Sequence, residues 1–227
     1  MRYVGRENVR KMLEPLEGTD GRTVYRDGSV DLVSDTSKSV RHMSAELVPG
    51  TFEGARHLLV RPSFGLGHEG VYDYIHVTPL LAEIARDHVV SVLLVRLGGY
   101  AVGVFDGERL RASKSGSRPV HGRAAAGGRS QKRFARRREG QARVALAAAA
   151  DAAAMVLLPV AGELAAVVGG GDRRALAAVL ADRRLAPLRP LLVDEVLDVP
   201  QPRRSVLESA PARFRAVRVR LPAGEPG

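Results

Sequence analysis

Cysteine and tryptophan are both missing from these 227 residues, and the remaining aromatics are five Tyr and five Phe. Without cysteine there is no disulfide, no zinc-thiolate site and no thiol nucleophile, which fits a reducing compartment. With so few rings, base-stacking platforms of the RRM or OB type are not expected. The start, Met1-Arg2-Tyr3-Val4-Gly5-Arg6-Glu7-Asn8, lacks the apolar run of a secretory signal. The most apolar stretch, residues 142–162, is largely alanine and is broken by Arg143, Asp151 and Pro159. A cytoplasmic protein without a membrane partner is the expectation. His42, His57, His68, His76 and His88 show no His-x-x-x-His spacing, so neither a metal nor a cofactor is expected.

Lysine is scarce as well, with 4 Lys against 31 Arg, a bias that the base composition of a gene produces as readily as nucleic-acid binding. Position is more telling than composition. Residues 108–143 hold 12 Lys or Arg and only two acids, Glu108 and Glu139, whereas 23 basic residues balance 23 acidic ones elsewhere. The formal net charge of +10 therefore resides in one segment, the pattern a phosphate backbone selects.

Coarse patterning predicts a helix over 7–16, a hairpin of 22–25 and 29–33 about Asp27-Gly28, and a strand within 55–61. Thr78-Pro79 opens a helix that runs to about residue 88. Strands over 89–96, 100–105 and 108–113 form a meander, followed by a loop from Lys114 to Gly128. A proline-free, alanine-rich run from 131 to 158 predicts one helix of roughly 28 residues, about 42 Å long. Strand 164–168, a tight turn at Gly169-Gly170-Gly171, an Asp172 N-cap and helix 173–180 follow, with strands over 191–197 and 214–221. The expected fold class is α/β, a mixed β-sheet with packed helices, divided into a small unit at 1–70, a main domain at 71–221 and a tail at 222–227.

The specific segment is Gly127-Gly128-Arg129-Ser130-Gln131-Lys132-Arg133-Phe134. Two glycines permit close backbone approach, so a polar side chain just after them is well placed at a reaction centre; the plain alternative is a flexible loop with Ser130 as a helix N-cap. Lys132, Arg133, Arg136, Arg137 and Arg138 crowd the first turns of the helix, where the macrodipole favours acids by about 0.3–1 kcal/mol each. Positions 129 and 133, 132 and 136, and 133 and 137 also set like charges one turn apart, a repulsion that bound phosphates relieve. Gly140-Gln141 is a competing pair, but it lies inside the helix, ten residues on and about 280° round the axis, and reads as structural. Gly65-x-Gly67-x-x-Gly70 spells a dinucleotide fingerprint without the strand before it or the helix after it, and reads as coincidence.

The basic loop, Gly127-Gly128-x-Ser130-Gln131, Arg133-Phe134 and Arg136-Arg137-Arg138 on a long helix resemble the actinobacterial branch of the Vms-type release factors, peptidyl-tRNA hydrolases related to the ribosome-quality-control hydrolase of eukaryotes. The region from about 75 to 221 is also similar to the central domain of eukaryotic and archaeal class I release factors, which carries a Gly-Gly-Gln loop on an RNase H-like fold. Here Arg129 and Ser130 separate the glycines from the glutamine. The resemblance implies that Gln131 is catalytic, with Gly127, Gly128 and Ser130 shaping the tip. Lys132, Arg133, Arg136 and Arg137 would hold RNA, assisted by Arg118, His121, Arg123 and Arg129. The implied partners are the large ribosomal subunit, its rRNA and peptidyl-tRNA, with no DNA. The implied activity is ester hydrolysis in ribosome rescue, independent of a stop codon. A tRNA nuclease cutting near the acceptor 3′ end and a non-enzymatic ribosome- or RNA-binding factor are the alternatives.

Overall fold

The computed structural model describes residues 2–34, 57–117 and 130–220, with the side chains of 130–138 outside that description. The chain forms two compact units, one of Met1–Arg86 with Ala212–Gly227 and one of Asp87–Pro211.

In the first unit, β1 (Arg2–Val4), β2 (Asp20–Arg26), β3 (Ser29–Ser34), β4 (His57–Arg61) and β5 (Gly70–Tyr74) form an antiparallel sheet with a strand from the far end of the chain, Val217–Arg220. The sheet order is β1, Val217–Arg220, β4, β3, β2, β5. Helices α1 (Arg6–Leu13) and α2 (Thr78–Ala85) contribute Val9, Met12, Leu13, Leu80 and Ile84 to the core, against Val30, Leu32, Leu58 and Val60. The β2–β3 connection is the expected two-residue Asp27-Gly28 turn, with both residues at positive φ (52° and 67°), as such a hairpin requires. Helix α2 has no capping side chain of its own. Glu17 supplies one from far upstream: its carboxylate accepts from the Val77 and Thr78 amides at 2.7 and 2.8 Å and from the Thr78 hydroxyl at 3.0 Å. Burial pushes that carboxyl up, but the bonds from His76, Val77 and Thr78 outweigh it and hold Glu17 below its ordinary range.

The second unit is the mixed α/β part. Strands β6 (Val89–Arg96), β7 (Gly99–Asp106) and β8 (Arg109–Ser117) form the antiparallel meander. After α3 (Ser130–Leu157) the chain returns as β9 (Ala166–Gly171), parallel to β6, and then, through α4 (Arg173–Leu180), as β10 (Leu192–Leu197), parallel to β9. The order is β10-β9-β6-β7-β8. Parallel neighbours need a long crossover, which α3 and α4 provide. Central β6 is buried on both faces, which accounts for its run of β-branched and leucine residues, interrupted by Ser91. Short α5 (Arg204–Glu208) and α6 (Pro211–Phe214) precede the last strand, β11 (Val217–Arg220).

Three features differ from the sequence expectations. The boundary falls between Arg86 and Asp87 rather than near residue 70, and β11 pairs with β1 and β4 of the first unit instead of extending the second. Strand pairing over such a separation leaves no trace in local periodicity. Strand β8 runs to Ser117, because Lys114 to Ser117 continue the ladder opposite Val102 to Gly99, and only Gly116 leaves room for the Tyr100 ring above it. Most telling, Gly169, Gly170 and Gly171 are not a turn but strand residues of β9. A Cβ at Gly170 would stand 2.6 Å from Leu94 Cδ2, one at Gly169 would collide with Leu176, and one at Gly171 (φ 95°) with the Val95 carbonyl. The glycines let β9 lie close under Leu176 of α4 and fit between its neighbours β6 and β10.

Candidate functional site

Strands β6, β8, β9 and β10 run in one direction, so their carboxyl ends share one edge of the sheet. The segment joining the end of β8 to the start of α3 leaves from that edge, where ligands of open α/β sheets bind. Helix α3 starts at Ser130 and carries Gln131, Lys132, Arg133, Arg136 and Arg137 in its first two turns. Arg118, His121, Arg123, Gly127, Gly128 and Arg129 lie outside the described residues.

The burial pattern of α3 explains how these residues are presented. Among the described residues its fully buried side chains are Ala149, Ala150, Ala152, Ala153 and Leu157, packed with Leu93, Val95, Val102 and Val104 of the sheet, and Leu146, Ala154 and Val156 join them half-buried. Between Glu139 and Ala148 no residue is fully buried, and Val144 is 52% exposed. The anchored part starts 19 residues after Ser130, so the helix carries its first turn about 28 Å along its axis from the first buried alanine. The positive end of the helix dipole lies at that first turn, where it favours anions.

The anchored half is fastened by polar contacts as well as by packing. Arg184 Nη2 donates to Asp151 on α3 and to Asp182, each at 2.7 Å. The bonds from the Arg184 side chain and backbone hold the Asp182 carboxyl down at about 2, and those from Asp182 and Asp151 push the Arg184 guanidinium further up. The α4 helix beside it opens on the expected cap, with Asp172 accepting from the Ala175 amide at 2.8 Å. By length and apolar composition alone, Glu139–Glu163 would suffice to cross a membrane. Its alanines instead form a core face, and residues 158–163 turn into a 3₁₀ segment at Pro159.

The competing motifs lack the local context their chemistry would need. Gln141 is part-buried in mid-helix, about 15 Å along the axis from Gln131. Gly70 opens strand β5 and no helix follows, so the 65–70 glycines lack the context of a nucleotide loop. Among the described histidines, His57 pairs with Asp31, His68 with the Tyr72 hydroxyl at 2.9 Å, and His76 with Glu17 at 2.8 Å. No group of three or more potential metal ligands occurs among the described residues. Arg96 and Asp198, joined at 3.1 Å, lie at the carboxyl ends of β6 and β10 on the same edge as the loop; no sequence motif marks either of them.

Among solved structures the chain is similar to the archaeal translation termination factor aRF1, with 14% identity, 93% of this chain and 73% of that chain covered, and a TM-score of 0.43. A second similar structure, described as an archaeal protein, has 15% identity over 94% of this chain and 74% of that one, with a TM-score of 0.40. No curated protein matches. A family model described as Actinobacteria/chloroflexi VLRF1 release factor matches residues 88–220, which takes in the second unit, the α3 helix with its preceding loop, and β11. The chain belongs to the Actinobacteria/chloroflexi VLRF1 release factor family.

Proposed function

We propose that this release-factor family member is a peptidyl-tRNA hydrolase that frees nascent chains from stalled or obstructed large ribosomal subunits without reading a stop codon. What supports the reading is the sequence Gly127-Gly128-Arg129-Ser130-Gln131 leading into a helix whose fully buried residues, among those described, all lie from Ala149 onward, within the span matched by the family. Such a helix suits a site that must reach into a cavity of its substrate.

A carboxamide does not ionise near neutral pH, so Gln131 is not a general base. Its role in the proposal is to orient a water toward the ester carbonyl between peptide and tRNA, with a backbone N–H of the loop stabilising the oxyanion. The water oxygen bonds to the carbonyl carbon, the ester C–O bond breaks, and the ribose hydroxyl of the tRNA leaves with a proton. Donors of this kind contribute about 10²–10³ in rate in other enzymes, and the ribosome supplies the positioning. Lys132, Arg133, Arg136 and Arg137, with Arg118, His121, Arg123 and Arg129, bind RNA phosphates in this reading. The substrate-bearing partners are the large subunit, its rRNA and peptidyl-tRNA, encountered in the cytoplasm; no cofactor is invoked.

The test is release of labelled peptide from peptidyl-tRNA on isolated large subunits, with the tRNA 3′ end mapped afterwards. Free peptide with an intact terminal adenosine supports ester hydrolysis. A tRNA shortened at its 3′ end would make the protein a nuclease, and intact peptidyl-tRNA would refute the reading.

A further inference from the structure

The six-stranded sheet of the first unit has two unlike faces. One carries the core: Val4, Tyr25, Val30, Leu32, Leu58, Val60, Val217 and Val219 alternate onto it, and the buried residues of α1 and α2 join the same cluster. The residues between them point to the other face. There Arg22 and Arg26 of β2, Arg61 of β4 and Arg220 of β11 are exposed, with Arg218 half-buried beside them. Tyr3, Val33 and Val71 are 55%, 37% and 54% exposed on the same face.

The strand register sets these arginines close together. Arg218 stands directly opposite Arg61, and Tyr3 directly opposite Arg218. Arg61 Nη2 reaches the Asp27 carbonyl at the β2–β3 turn at 3.2 Å, next to Arg26. The row from Arg218 to Arg26 crosses four strands, about 14 Å at ordinary strand spacing. Against these five arginines the described strands set Asp20, Asp31 and Asp73 in the same alternation, and Asp31 is engaged by His57. The register thus gathers positive charge from three strands on one row, where an anionic partner would meet it.

The signal is invisible to a linear scan, because the arginines come from residues 22, 26, 61, 218 and 220, which lie far apart along the chain. Folding brings them together. On the core side, α1 and the turn after it carry Glu7, Glu14 and Glu17 along with Arg6, Arg10 and Lys11, so charge of both signs is mixed there.

We infer that this outer sheet face is a second RNA-docking surface, binding the phosphate backbone of the large subunit's ribosomal RNA independently of the α3 tip. The inference rests on the ribosomal reading above, and it gives the first unit a role of its own, which is to fix the protein on the subunit while the α3 tip addresses the ester. Among the described residues Tyr3 is the one Tyr or Phe on this face, so contacts to phosphates rather than stacked bases are the chemistry that fits.

The experiment is salt-dependent binding of the full-length protein to purified large subunits stripped of peptidyl-tRNA, so that hydrolysis contributes nothing to the signal. The triple variant Arg22→Gln, Arg26→Gln, Arg61→Gln is compared with Arg10→Gln, Lys11→Gln, Arg86→Gln, an equal charge loss on the helix side of the same unit. Losing three phosphate contacts should weaken binding at least about tenfold and lower the slope of log K against log salt by about 2–3. The helix-side triple should match the wild type. Thermal melts of both variants establish that the sheet is intact, and Arg22→Lys, Arg26→Lys, Arg61→Lys should restore most of the slope. Equal affinities and slopes for the wild type and both Gln triples would overturn this inference while leaving the hydrolase reading in place. Equal weakening by both Gln triples would overturn it too, since the effect would follow net charge rather than the face. A wild type that fails to bind subunits at all would overturn both readings.

Discussion

From Ala149 to Leu157, α3 buries four alanines and a leucine against the sheet and is tied through Asp151 to Arg184; from Glu139 to Ala148 the same helix buries no residue fully. The preceding turns hold Lys132, Arg133, Arg136, Arg137 and Arg138, with no acid before Glu139. One secondary-structure element thus divides into a half chosen by packing and a half chosen by something else. Alanine in the anchored half has high helix propensity and is small enough for the helix to sit close to the strands. The basic half opposes its own macrodipole, so helix stability does not account for its composition.

That contrast can be broken at either end. Ala153→Asp would place an unpaired charge at a fully buried site of the anchor and should cost about 3–5 kcal/mol, measured by chemical denaturation. Next in size, Gly171→Ala forces a side chain onto the Val95 carbonyl at a positive φ and should cost about 2–4 kcal/mol in the sheet under the anchor. Before Ala149, Val144→Asp should change stability by no more than about 0.5 kcal/mol, because its side chain is already half in water. A large loss there would mean that this half is packed after all.

The smallest effect concerns pH. Asp182 is held down at about 2 by Arg184, against an ordinary value of 3.8. A carboxyl with a depressed folded pKa stabilises above its unfolded value and loses that contribution as pH falls through the folded one. The Arg184 clamp should therefore be whole above about pH 4 and fade between pH 4 and 2. Melting temperatures of Asp182→Asn across that range should depend less steeply on pH than those of the wild type; parallel curves would remove the clamp from the account.

Much of the fold was legible in the sequence because its signals are local. Thr78-Pro79 opens α2, Val89 onward is β6, and the proline-free alanine run spans α3 to within a residue at each end. The Asp27-Gly28 hairpin was equally plain. What escaped was set by distant partners. Gly169-Gly170-Gly171 reads as a turn until Leu94 and Leu176 are seen against it. β11 is an alternating strand in either unit, and only β1 and β4 decide where it pairs. The arginine face of the first unit exists only once its strands are in register. For the candidate site, the sequence indicates residue types and their place at the head of α3, and the fold adds the anchored half from which that head extends.

The most direct test of the central claim is single-turnover release of peptide from peptidyl-tRNA on large subunits by the wild type and Gln131→Ala, with subunit binding measured on the same preparations. If Gln131 orients the attacking water, the variant binds like the wild type and releases peptide about 10²–10³-fold more slowly, leaving the tRNA 3′ end whole. Release at the wild-type rate by Gln131→Ala, or a loss of release matched by an equal loss of binding, would contradict the assignment of the chemistry to the tip of α3.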